Sequence, residues 1–122
     1  MDALIQAAYR DAASKPELIR SLIKGHVVII ASWDSPDSRD MTIQDFVRDG
    51  EPFIPFFSDG EHFSRETAGS GFEDRGVSID ANLFASMLCG TETLVLNPGS
   101  SAPVEFAASE FKAFVDSSRL PR

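Results

Sequence analysis

Residues Glu51–Phe63, EPFIPFFSDGEHF, leave few ways for this chain to fold. Phe53–Phe57 has the aromatic and β-branched content of a strand. Pro52 precedes it and Pro55 interrupts it. Proline has no N–H for a sheet ladder, so Pro55 must sit at an outward-facing N–H or at a bulge. Phe56 and Phe57 are adjacent on the strand and therefore point to opposite faces. One belongs to the core, and the other is covered by a helix or by a partner. Beyond Phe57, Ser58-Asp59-Gly60-Glu61 has capping-box spacing, with Ser58 accepting from the Glu61 N–H. A short helix is expected from Asp59 to Thr67.

The flanks build outward from this strand, turn and helix. Residues 2–24 read as a helical arm in two pieces. Leu4, Ile5, Ala8, Tyr9 and Ala12 form one stripe, and Leu18, Ile19, Leu22 and Ile23 form the next. Ser14-Lys15-Pro16-Glu17 divides them as a second capping box, and Gly25 is expected to end the arm in a left-handed C-cap. His26–Ser32, HVVIIAS, is apolar on consecutive positions, as a strand buried on both faces must be. A polar loop follows over Trp33–Asp40. Met41–Val47 and Phe53–Phe57 are expected to pair as a hairpin through Asp49-Gly50. Ala68–Arg75 reads as a loop and Gly76–Asp80 as a strand. Asp80 then caps a helix through Cys89 that buries Leu83, Phe84, Met87 and Leu88. Thr93–Asn97 is a strand and Asn97-Pro98-Gly99-Ser100 a turn. Pro103–Phe106 is an edge strand, and Ser109–Ser117 is the closing helix. Hairpins mixed with helices predict an α+β fold: one mixed, largely antiparallel sheet with helices packed on it. The whole, residues 1–122, reads as one domain, with the arm at 1–24, the core at 25–117 and a frayed tail at 118–122.

Charge and cysteine content narrow the function classes. Nineteen acids against eleven bases give a formal net charge of −8 and a pI near 4.6. Nucleic acid and anionic membrane surfaces would repel such a chain. Neither is an expected partner. The single cysteine, Cys89, excludes an internal disulfide and suits a reducing, cytoplasmic compartment. Its place in a helix suggests burial. The N-terminus is acidic where a secretory signal is basic, and Val27–Ala31 is too short an apolar run to span a bilayer.

Catalytic patterns are absent. The two histidines, His26 and His62, lie far apart. His62 with Asp59 and Glu61 is the nearest approach to a metal set, but acids at a helix start complement its dipole without any metal. No cofactor is implied. The glycines fit neither phosphate-loop spacing. Two turns are the candidate ligand-binding region: Ser58, Asp59 and Gly60 in one, and Asn97, Gly99 and Ser100 in the other. If they meet at a sheet edge, their N–H groups and the helix start would suit a small anion or a peptide carboxylate. Trp33 and Phe57 are the candidate aromatic anchors for a partner.

Two motifs carry a family resemblance. Phe53-Ile54-Pro55-Phe56-Phe57-Ser58-Asp59 stands after a hairpin and before a helix. Leu94-Val95-Leu96-Asn97-Pro98-Gly99-Ser100 stands after a helix. With Ile79-Asp80, Leu83-Phe84 and Met87-Leu88 between them, this order resembles the N-terminal domain of the SseB family (enhanced serine sensitivity), over roughly Leu18–Val115. The resemblance implies an α+β fold and a stand-alone copy of that domain. It carries over no catalytic residues. The expectation is a non-catalytic bacterial protein that binds another protein or a small ligand. A second reading is a self-associating or partner-docking subunit, a homo-oligomer included, that uses a sheet edge or the N-terminal helix. A third is an enzyme with an unrecognised site.

Overall fold

The computed structural model describes residues 2–33 and 41–119. The arm consists of α1 (Asp2–Arg10) and α2 (Lys15–Leu22), joined by a 3-10 turn at Ala12–Ser14. Ile5 and Ala8 of α1 are buried against the main core, so the apolar stripe of this helix docks within its own chain. The expected capping box does not form. Ser14 is already helical and makes no side-chain cap bond, whereas the Asp11 carboxylate accepts from Ala13 N–H one step earlier. Gly25 also departs from expectation. The helix ends on Ile23 in the right-handed region, and the Gly25 N–H closes back on the Leu22 carbonyl at 3.1 Å.

The strands are β1 (His26–Trp33), β2 (Met41–Ile43), β3 (Phe46–Arg48), β4 (Glu51–Phe57), β5 (Gly76–Asp80), β6 (Thr93–Leu96) and β7 (Val104–Ala107). They form one seven-stranded sheet on the path β2-β1-β4-β6-β7, with β3 beside β4 and β5 beside β1. The β4–β6 pair is parallel and the other pairs described are antiparallel. The fold is therefore α+β with a mixed sheet. The expected hairpin is half right. Only β3 returns on β4, through Asp49 and Gly50 at φ 54° and 81°, the left-handed pair of a tight hairpin turn. Met41–Ile43 pairs with the far end of β1 instead.

This division explains Pro55. Strand β4 pairs with β3 up to Phe53 and with β1 from Phe56. The Asn97 N–H donates to the Phe56 carbonyl, so the polar groups of Phe56 face β6 and those of Pro55 face the other way. The missing N–H thus falls where β4 passes from one partner to the other, and no ladder bond is lost.

The remaining helices are α3 (Gly60–Thr67), α4 (Ala81–Ser86) and α5 (Ala108–Arg119). They cover the sheet unequally. Helices α1, α2, α4 and α5 bury one face around Val27, Ile29, Phe56, Phe84, Phe106 and Phe111. On the other face, among the described residues, only Val28, Ile30, Phe57 and Phe63 form a core, with Phe46 and Phe72 packed beside it. Alternation along β1 and β4 sends Val27 and Phe56 one way, and Val28 and Phe57 the other. Gly76 is needed here for space. A Cβ on it would lie 2.6 Å from the Phe63 ring.

Helix α4 is shorter than expected. Asp80 does cap it, accepting from the Asn82 and Leu83 N–H groups. It ends at Ser86 because Glu92 draws the next turn away: its carboxylate accepts from the Cys89 and Gly90 N–H groups, each at 2.8 Å. Leu83, expected inside, is 50% exposed, and Cys89 is exposed rather than buried.

Candidate functional site

The two turns singled out above meet. Asn97 is the hinge of the contact. It is 1% exposed and holds φ at 50°, a conformation that asparagine tolerates better than most residues. Its Oδ1 accepts from the Ser58 N–H at 3.0 Å, and its Nδ2 donates to Ser58 Oγ at 3.1 Å. The parallel pairing of β4 with β6 forces the meeting, because it sets the end of both strands at one edge. Pro98 and Gly99 then turn the chain, with Gly99 at φ 84°, and the Asn97 carbonyl accepts from both the N–H and the Oγ of Ser100.

The cap of α3 falls one residue later than its spacing suggests. Asp59, not Ser58, accepts the first-turn N–H, from His62 at 2.8 Å. Ser58 Oγ instead accepts from Asn97 Nδ2. The Asp59 carboxylate also meets His62 Nδ1 at 2.8 Å. Partial burial pushes the Asp59 pKa up. The hydrogen bonds from the His62 backbone and ring, with His62 charge and Ser58 Oγ, outweigh that and hold it below its ordinary value.

These bonds decide what the turns can do. Ser58 N–H, Ser58 Oγ and the Asp59 carboxylate are each engaged inside the fold, and Asp59, Glu61 and Glu66 surround them with negative charge. An anion would meet few free donors here and a repulsive field. Ser58, His62 and Asp59 resemble a hydrolytic triad in composition alone. A base must hold the nucleophile on one ring nitrogen and the acid on the other. Here Ser58 Oγ (3.4 Å) and Asp59 Oδ1 both approach Nδ1. Among the described residues no group of three or more His, Cys, Asp or Glu side chains is placed to hold a metal. No described helix is long and apolar enough to cross a membrane.

Beside the turns, on the thinly covered face, lies a groove of about 300 Å³. Phe57 and Pro55 line it from β4, Phe46 and Phe53 from the hairpin, and Phe72 from the loop after α3, with Pro98 and Gly99 at one side. The Phe46 and Phe72 rings stand edge to face, 5.1 Å apart. Glu66 brings a carboxylate to this apolar lining. It also borders a second, more polar cleft of about 440 Å³ that contains His62, Asn97 and Ser100.

The sequence leaves open whether the Ser58 and Asn97 turns meet, and the groove is not visible in it, because Phe72 joins the Phe46–Phe53 hairpin only in the folded chain. Phe57 is 2% exposed and sits against Phe63. It is a core residue that reaches the groove, not a free-standing anchor. Trp33 ends β1, and its side chain lies outside the described residues, as do residues 34–40 of the expected polar loop.

No curated protein and no solved structure matches the chain. The family model described as SseB protein N-terminal domain matches residues 1–113, taking in the helical arm that the motifs left out. The matched range includes the two strand ends that Asn97 ties together, and with a match over nearly its whole length the chain belongs to the SseB family through that N-terminal domain.

Proposed function

We propose that this protein is a non-catalytic interaction module that receives a segment of a partner protein in the groove between β4, the β3–β4 hairpin and the loop after α3. The observation that supports this is the unequal covering of the sheet. One face carries four helices, while the other leaves aromatic rings of Phe46, Phe53 and Phe72 around an open groove. Aromatic-lined concavities of this kind favour an apolar anchor from a partner. A non-catalytic role is consistent with the bonding of Ser58, Asp59 and His62, in which no side chain is poised as an activated nucleophile.

The test is a photo-cross-linking residue at position 72, with the same residue at exposed Ser86 on the opposite side as control. Irradiation in native lysate should give protein adducts from position 72 and not from position 86. Equal adducts from both, or none from either, would overturn the proposal.

A further inference from the structure

We infer that the partner segment presents a lysine or arginine to Glu66, its alkyl stem lying along the aromatic groove; this rests on the interaction reading above. Glu66 is half-buried and lines both the groove and the polar cleft. Three acids of the same region, Asp59, Glu61 and Glu73, have partners. Asp59 holds His62, Glu61 holds Arg65 at 3.0 Å, and Glu73 accepts from the Gly69 and Gly71 N–H groups. Glu66 makes no hydrogen bond or ion pair with any described residue. The one cation next to it in sequence, Arg65, is already committed to Glu61.

The adjoining turn accommodates this carboxylate. Gly99 is left-handed, and a Cβ there would collide with Glu66 Oε2. With glycine at this position the carboxylate lies against the turn, at the border between the two clefts. A partly desolvated carboxylate without a partner is destabilised, and an incoming cation relieves that cost.

The walls suit the rest of such a side chain. A lysine or arginine stem is apolar along most of its length, and aromatic faces attract the cationic head. The protein already makes this kind of contact at the groove's edge, where the Arg48 guanidinium lies 5.2 Å from the Phe53 ring centre. The net charge of −8 adds a field that draws basic segments and repels acidic ones. An acidic or purely apolar segment would leave Glu66 unpaired at the groove.

The experiment is an array of acetylated heptapeptides in which the central residue is fixed as each amino acid in turn and the flanks are mixtures. The labelled wild-type chain, Glu66→Gln, Phe72→Ser and Phe53→Ser are applied in parallel, with circular dichroism to verify that each is folded. Wild type should prefer central Lys or Arg over Met by about tenfold, the factor of one good charge-assisted contact. Glu66→Gln should bring that ratio close to one while keeping binding to apolar centres. A preference for apolar centres that Glu66→Gln does not change overturns the cation inference and leaves the interaction module intact. If neither phenylalanine variant reduces retention of any peptide, both readings fail.

Discussion

Replacing Asn97 with alanine tests the contact that ties the two turns together. The side chain supplies two hydrogen bonds to Ser58, at 3.0 and 3.1 Å, and alanine supplies neither. Ser58 is half-buried, so its orphaned N–H regains only part of its hydration. That loss costs about 1–2 kcal/mol, the lower part of the range for an unsatisfied buried donor. Alanine must also hold φ near 50°, which costs it roughly a further 1 kcal/mol. The sum is about 2–3 kcal/mol, a large share of a total stability on the order of 5–15 kcal/mol. Asn97→Gly loses the same bonds without the left-handed penalty, although its unfolded chain has more freedom to lose. It should be milder than alanine by up to about 0.5 kcal/mol, the balance of those two terms. Urea titrations followed by far-ultraviolet circular dichroism measure both. A loss below about 0.5 kcal/mol for Asn97→Ala, within the usual range of a surface substitution, would refute the reasoning. A glycine variant less stable than the alanine variant would refute the backbone part of it.

Other outcomes follow from single contacts. Gly76→Ala should cost about 1–3 kcal/mol in the same titration, because its Cβ drives the buried Phe63 ring from its place against Phe57; unchanged stability would mean that the ring moves freely. Asp59→Ala should cost about 1 kcal/mol as a lost helix cap, and Asp59→Asn much less, since asparagine caps equally well. The Asp59 pKa is lowered by folding, so its contribution is present above its ordinary value of 3.8 and is lost as the pH falls through the lower folded value. Wild type should therefore lose more stability on acidification than Asp59→Asn, and parallel pH profiles would contradict this. Cys89 is exposed, so one thiol per chain should react with a disulfide reagent in the folded protein as quickly as in urea; protection in the folded state would show that α4 extends further than described.

Much of the fold was legible from local patterns. Strand β1 announced its burial on both faces through consecutive apolar residues, and Asp49-Gly50 and Asn97-Pro98-Gly99 marked turns whose φ values are as their residue types require. Errors arose where two local devices competed. Ser58 and Asp59 both have cap chemistry, and the winner depended on Asn97, 39 residues away. Cys89 looked buried on helical spacing, but Glu92 captured the N–H groups that would have continued α4, and Leu83 lies on the exposed side of that helix.

By itself the sequence determined the alternating strand faces, the turn positions and the negative charge, because each depends on residues adjacent in the chain. Tertiary structure alone decided which strand Met41–Ile43 joins, which residue caps α3, and that Asn97 locks onto Ser58. It also decided that one sheet face receives four helices and the other chiefly α3. The groove, and a Glu66 with no partner among the described residues, arise from that difference. Hydrogen bonds and ring contacts between distant segments have no periodicity in the sequence, and appear only when the chain has brought their partners together.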